Sequence, residues 1–323
     1  METTIKQKRF GVNRWIVLAL ILLSFVAIRI AKPVLPFISV APEKLSTEPI
    51  FSLGPLGDVY LTNTLISLLI VFAIVLLLAF GINRSLKSGG LVPKGVSGFM
   101  ELIYEFFYNS TESAAGKWTK VIIPWFLSIF IVVLIANLFE VIPGVDTVGI
   151  MHHAHAGEGN AIASIGGGWS KLLPDKGDYV LTPFVRVLST DLNFTLAIAL
   201  ISVIMTQVIG VRAQGLSYFS KFINFTTMFK KPFFGFMDFI VGILELISEM
   251  AKIISFTFRL FGVMFSGFVL LSLVIAMVPI FVPSLIFFFE LFMGVIQAFV
   301  FGMLTMVFMA MATKGHGGEE EHH

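Results

Sequence analysis

Glu245-Leu-Ile-Ser248-Glu249-Met-Ala-Lys252-Ile-Ile-Ser255-Phe-Thr-Phe-Arg259-Leu-Phe-Gly262 places two carboxylates, an ammonium and a guanidinium inside an otherwise apolar run. That run, Phe233 to Val278, holds no proline. A charge at a bilayer centre costs about 2.5–3.5 kcal/mol or more, so four of them close together demand a function or a partner. Read as one helix, the run is about 69 Å long at 1.5 Å per residue, against a hydrocarbon core of about 30 Å. It is predicted to tilt strongly, break, or lie partly in the interface. Pro279 and Pro283 flank a short turn, and a last helix follows over 284–313, again longer than a perpendicular crossing needs.

Outward from this hairpin, the composition agrees. The 323 residues are 57% hydrophobic and 13% charged, with 35 Phe, where a soluble domain is about 25% charged. The chain is predicted to be an all-α polytopic membrane protein. With no cysteine there is no disulfide framework or thiol chemistry. The net charge of +2 gives no reason to expect a nucleic-acid partner.

About six membrane helices are expected. The first is the run from Trp15 to about Ala31, preceded by Lys6, Lys8, Arg9 and Arg14. Its apolar core is long for a signal peptide and lacks a small-x-small cleavage site, so it reads as an uncleaved anchor helix. Residues 32–60, rich in proline, read as an extra-membrane loop. Further spans are expected at 61–82, 121–142 and 192–211, and the last two helices form a long, tilted antiparallel hairpin. Val96 to Tyr108, with Glu101 and Glu105 one turn apart, is too short and charged to span and reads as an interfacial amphipathic helix. Residues 143–190 read as a long polar loop, with Thr190 or Asp191 placed to cap the helix that follows. The tail from Lys314 reads as disordered. Fourteen of the 22 Lys and Arg fall on the side of both termini and six on the other, which puts the termini in the cytoplasm if the first helix is retained.

At 3,4 spacing through the fifth helix run Glu245, Ser248, Lys252, Ser255, Arg259, Gly262 and Ser266, all polar or small and on one face. Such a stripe faces protein or water, not lipid. The last helix answers with Glu290, Gly294, Gln297, Ala298 and Thr305. Periodicity alone leaves Arg259 equally readable as a snorkelling anchor for an apolar segment from Leu260 to Val282. Lys252 with Glu249 or Glu245 is equally readable as a structural ion pair. Gln297 taken alone reads as helix-packing glue. His152, His153 and His155 suit a solvated loop better than a metal site. Gly166-Gly167-Gly168 is followed by Trp-Ser-Lys, so it is no phosphate loop. No nucleophile–base set, cofactor motif or metal motif stands out.

These residues resemble the a subunit of the membrane sector of F-type ATP synthases, over about residues 58–313. The resemblance is carried by Ser248-x-x-x-Lys252-x-x-Ser255-x-x-x-Arg259-Leu-Phe-Gly262-x-Met264-x-x-Gly267 and by Glu290 with Gln297-Ala-Phe and Thr305. Asn137-Leu-x-Glu140-x-x-Pro143 and Asp191-x-Asn193-x-Thr195 add to it. Val263 stands where the family usually has Asn, and Phe268 where bacterial members often have an acid. The acid on the last helix, Glu290, looks like an exchange of position. Residues 1–57 are an addition to the common pattern, and 314–323 a tail.

The resemblance implies a non-catalytic stator subunit that conducts H⁺ through two half-channels to and from a rotating ring of c subunits, coupling the gradient to ATP synthesis. Partners would be that ring, the b subunits of the peripheral stalk and the soluble ATPase sector, in a bacterial plasma membrane. It implies that Arg259 is the essential charge facing the ring. Glu290, Gln297, Asn137, Asp191 and Asn193 would line the non-cytoplasmic half-channel, and Glu245, Ser248, Lys252 and Ser255 the cytoplasmic one. The alternative is a stand-alone ion-coupled secondary transporter or channel using Arg259 and Glu290. The chain has no matching pair of Gly/Pro-broken helices, which such a transporter often carries.

Overall fold

The computed structural model describes residues 11–30, 39–52, 54, 57–87, 95–139, 142, 147–153, 159–167, 169–222 and 232–314. Seven α-helices lie among them: α1 (Gly11–Ile30), α2 (Asn63–Lys87), α3 (Val96–Ala115), α4 (Thr119–Leu138), α5 (Leu192–Gln214), α6 (Pro232–Met277) and α7 (Val282–Thr313). Five segments among the described residues are long and apolar enough to cross a bilayer: Asn63–Lys87, Val96–Leu138, Leu192–Gln214, Phe239–Met277 and Val282–Thr313. The chain is a multi-pass, helical membrane protein, as its composition predicts. Glu140, Pro143, His155, Gly168 and the tail beyond Lys314 fall outside the described residues.

α6 does not break. Its 46 residues run as one helix, so of the three outcomes open to so long a run, interruption is ruled out. α3 begins where the amphipathic pattern begins and continues a further two turns to Ala115. There Gly116, at φ 52°, turns the chain into a short 3₁₀ segment before α4. α3 buries Phe107 against Phe126 and Phe130 of α4, with ring centroids 5.5 and 4.9 Å apart. Glu101 and Glu105 stay exposed on the opposite face.

The core is built around α4 and α7. Ile122, Phe126, Phe130 and Val133 of α4 meet Ala298, Phe301 and Met309 of α7, with Phe256 and Leu260 of α6 and Ala199 and Val203 of α5 closing the cluster. Small residues let the backbones approach, as expected where lipid supplies no hydrophobic drive between helices. A Cβ at Gly302 would stand 3.1 Å from the Cβ of Phe130. α2 joins at the edge through Val71, beside Ala136, Leu188 and Phe194. The rest of α2 leaves Leu69, Phe72, Leu76, Leu77 and Phe80 exposed, a surface suited to acyl chains.

Both polar loops carry strands, which their sequence did not announce. β1 (Lys44–Ser52) and β2 (Asp58–Thr62) form an antiparallel hairpin before α2. Between α4 and α5, β3 (Gly149–His153), β4 (Gly159–Gly166), β5 (Trp169–Gly177) and β6 (Tyr179–Pro183) form a sheet in the order β3-β6-β4-β5. Glycine hides the strand signal here for a steric reason. Gly159 and Gly177 are register partners, and a Cβ on Gly159 would stand 2.5 Å from the backbone of Tyr179 in β6, one on Gly177 2.5 Å from that of Ala161 in β4. Gly166 and Gly167, at φ 101° and 64°, form the β4–β5 turn that L side chains would strain.

Candidate functional site

The register of α6 against α7 follows from their contacts. Gly267 lies against Glu290, Met264 beside Gly294, Phe256 against Phe301, and Lys252 over the ring of Phe308. In this antiparallel register Arg259 stands at the level of Ala298, one residue from Gln297. Glu290 lies about two turns away, roughly 12 Å along the axis at 1.5 Å per residue.

The two polar stripes face differently. On α7, Glu290, Gly294, Gln297, Ala298 and Thr305 are buried. On α6, Ser248, Ser255, Gly262 and Ser266 are exposed, and Glu245, Lys252 and Arg259 half-buried. The chain thus covers one stripe with its own helices and leaves the other open along an apolar helix.

Arg259 donates from Nη2 to Ser255 Oγ at 3.4 Å, and its guanidinium carbon lies 5.8 Å from the ring centroid of Phe256. Its Nη1 is buried without an acceptor, and among the described residues no carboxylate forms an ion pair with it. Lys252 is different. Its Nζ bonds Glu249 Oε1 at 2.8 Å, one turn back, and lies 5.0 Å from the Phe308 ring. Of the two partners open to Lys252 in the sequence, the structure pairs it with Glu249.

Glu290 is buried, 5% exposed, and among the described residues neither carboxyl oxygen has a hydrogen-bond partner. It borders a cavity of about 400 Å³ shared with Val263, Ser266, Gly267 and Met293. A buried carboxyl is costly unless something hydrogen-bonds it. The carboxyl also occupies the place beside Gly267. A Cβ there would lie 3.1 Å from Glu290 Oε1, so the acid reaches across from α7 to the neighbourhood of Phe268.

Four turns of α7 lead inward from Glu290. Asn137, near the end of α4, donates from Nδ2 to the carbonyl of Gly294 at 2.9 Å and accepts from Ser189 Oγ at Oδ1. Gln297 follows, buried, with Nε2 unpartnered. Thr305 bonds Ser202 of α5 at 2.8 Å. Asp191 is the N-cap of α5: its Oδ1 accepts from the backbone N–H of Asn193 at 2.9 Å, as N-cap carboxylates do. Asp191 is buried and Asn193 exposed.

The structure thus brings Glu290, Asn137 and Gln297 onto one buried line ending at the level of Arg259. Asp191 lies two residues beyond Ser189, its backbone N–H donating to the carbonyl of Leu188, while Asn193 is exposed. Sequence reading missed Ser189 and Ser202. Ser189 directly precedes the Thr190-Asp191 pair, which was the signal available. Ser202 had none beyond being a hydroxyl in an apolar helix. The rings of His153 and Tyr179 lie tilted against each other with centroids 4.4 Å apart, and among the described residues no group of three or more metal-ligating side chains occurs.

The family profile described as "ATP synthase A chain" matches residues 65–310. Relatives align over most of the chain. ATP synthase subunit a of Moorella thermoacetica is 28% identical over 83% of this chain and 96% of its own length. The subunit described as sodium ion specific, from Propionigenium modestum, is 28% identical over 90% and 86%. That of Mycobacterium bovis is 30% identical over 83% and 92%.

Proposed function

The chain belongs to the ATP synthase A chain family, and from that membership we propose that it is the non-catalytic stator subunit that carries H⁺ through two half-channels to and from a rotating c ring. Membership supports a place in the membrane sector, in complex with other synthase subunits. The observation that carries the finer reading is the open polar stripe of α6, with Arg259 at its middle and in no ion pair among the described residues. A polar face on a membrane helix is stable only against protein or water, and a ring of subunits presenting one carboxylate each is a partner that fits.

The chemistry follows from the charges. A ring carboxylate travels through lipid in its neutral form, because the ionised form is too costly there. Beside a fixed guanidinium the ionised form is favoured, so the carboxylate releases its proton on arriving at Arg259 and takes another on leaving. Arginine stays charged throughout, and this permanent charge keeps protons from leaking directly between the half-channels. Glu290, Asn137 and Gln297, with Asp191 and Asn193 nearer the mouth, line the non-cytoplasmic path. Glu245, Ser248, Lys252 and Ser255 line the cytoplasmic one. The peripheral-stalk b subunits and the soluble ATPase sector complete the machine, in a bacterial plasma membrane with both termini cytoplasmic.

Arg259→Gln tests the reading. Among the described residues Arg259 makes one long hydrogen bond and one distant ring contact, together worth about 1 kcal/mol. The variant subunit should therefore fold and assemble with its partners, and ATP-driven acidification of vesicles should be abolished. Acidification at the normal rate by the assembled variant would refute the reading. Pumping that required Na⁺ and ignored H⁺ would replace the ion assigned.

A further inference from the structure

The proline-rich addition before α2 is fastened to one buried arginine. Arg186 is 6% exposed. Its Nη1 donates to the carbonyl of Ala41 at 3.0 Å and its Nη2 to that of Ser39. On the other side Nε donates to Thr190 Oγ1 at 3.3 Å and Nη2 to the Thr190 carbonyl at 3.4 Å. Its backbone N–H donates to Ser67 Oγ of α2 at 2.9 Å. Glu43 lies beside it, half-buried, its Oε2 buried without a partner among the described residues, and it faces Thr182 and His152 as well. One guanidinium thus joins the addition to the 3₁₀ turn 188–190, while its own backbone is held by α2.

That turn is not a neutral anchor point. Ser189 donates to Asn137 Oδ1, and Asn137 in turn holds the Gly294 carbonyl of α7. Asp191, the next residue, caps α5. A rigid, planar, five-donor side chain is suited to fixing such a junction, whereas a solvent-facing arginine would leave the turn free to shift. We propose that Arg186 is a positioning residue for ion transfer, holding Ser189 and Asp191 in register with Asn137, and that residues 39–43 are the clamp that keeps Arg186 in place. This rests on the reading of Asn137 and Asp191 as part of the non-cytoplasmic path.

The test uses the assembled complex in sealed vesicles. The chain has no native cysteine, so Leu188→Cys, buried at 2% exposure, serves as reporter toward a membrane-impermeant maleimide. Arg186→Ala in that background should raise labelling about tenfold, because losing charge-assisted bonds lowers the cost of local opening. Arg186→Lys should restore protection only in part. Ser67→Ala, a milder change that leaves the guanidinium in place, should raise labelling about threefold. Pumping should fall in the same order, and its dependence on pH should shift on the non-cytoplasmic side only. Unchanged labelling in both Arg186→Ala and Ser67→Ala would overturn the proposal, as would raised labelling with unaltered pumping. A uniform loss with no one-sided pH shift would also overturn it, making Arg186 merely structural. Arg259→Gln is measured alongside: if it still pumps, the reading of the path has failed, whereas its inactivity beside a fully active Arg186→Ala removes only this inference.

Discussion

Gly267→Ala probes the contact on which the role proposed for Glu290 depends. The added Cβ would stand 3.1 Å from Glu290 Oε1, 3.4 Å from Cγ and 3.5 Å from Cδ. Backbone is not in the way, and the carboxyl borders a cavity of about 400 Å³, so the side chain can yield. Two stability effects oppose each other. Alanine is favoured over glycine in a helix interior by about 0.8–1 kcal/mol, and pushing the glutamate some 30° off its rotamer costs about 0.5–1.5 kcal/mol. Net stability should stay within about 1 kcal/mol of the parent. Transport should not be spared, because the strain falls on the carboxyl itself. The same 0.5–1.5 kcal/mol, if added to the barrier for ion transfer, slows pumping about 2- to 13-fold. Glu290→Asp withdraws the carboxyl from the new methyl, so it should slow the parent yet cost less, or help, in the Gly267→Ala background. The measurement is ATP-driven acidification of vesicles, normalised to assembled complex. Parental rates in Gly267→Ala, combined with a clear loss in Glu290→Gln, would refute the reasoning: the carboxyl would then act from some place other than the side of Gly267.

Three further outcomes can be measured. Glu43 lies outside the spans, and burial pushes its carboxyl above the ordinary value of 4.5, against the opposing pull of the Thr182 hydrogen bond, Arg186 and His152. A raised folded-state value means that the stabilising proton is held below about 4.5 and lost as pH rises through the shifted value. Glu43→Gln should therefore gain thermal stability relative to the parent at neutral pH, with the gain vanishing in acid. Gly302→Val should destabilise the α4–α7 contact by about 1–3 kcal/mol through overpacking against Phe130, readable as a lower midpoint in detergent unfolding. Ser202→Ala and Thr305→Val should show a coupling of about 0.6 kcal/mol, the average for interhelical bonds in membranes; strict additivity would mean that the 2.8 Å bond contributes nothing.

Helix positions were legible in this sequence because apolar run length and proline placement are local properties. The α6–α7 hairpin was readable from Pro279, Pro283 and the unbroken run before them, and the polar stripes from 3,4 spacing. The direction each stripe faces was not readable. Periodicity shows that Glu290 and Gln297 share a face and that Arg259 and Ser255 share another, but only packing against α4 decides which is enclosed. The pairing of Lys252 with Glu249 and not Glu245 is a choice between rotamers. The strands in both loops were hidden by glycine and proline, residues that ordinarily argue against strand. The clasp of Ser39 and Ala41 on Arg186 joins parts of the chain some 145 residues apart through backbone carbonyls, and no side-chain pattern encodes a carbonyl.

The exposed stripe of α6 has a further geometric property. Glu245, Lys252, Arg259 and Ser266 repeat every seven residues, and an ideal helix drifts about 20° per heptad. The stripe therefore winds. With Arg259 facing a partner squarely, Ser266 is turned about 20° to one flank and Glu245 about 40° to the other. An unbroken helix keeps this offset fixed. A partner surface that packs along the whole stripe must therefore wind with it, and one that touches only a single level meets a different flank of the helix at each end.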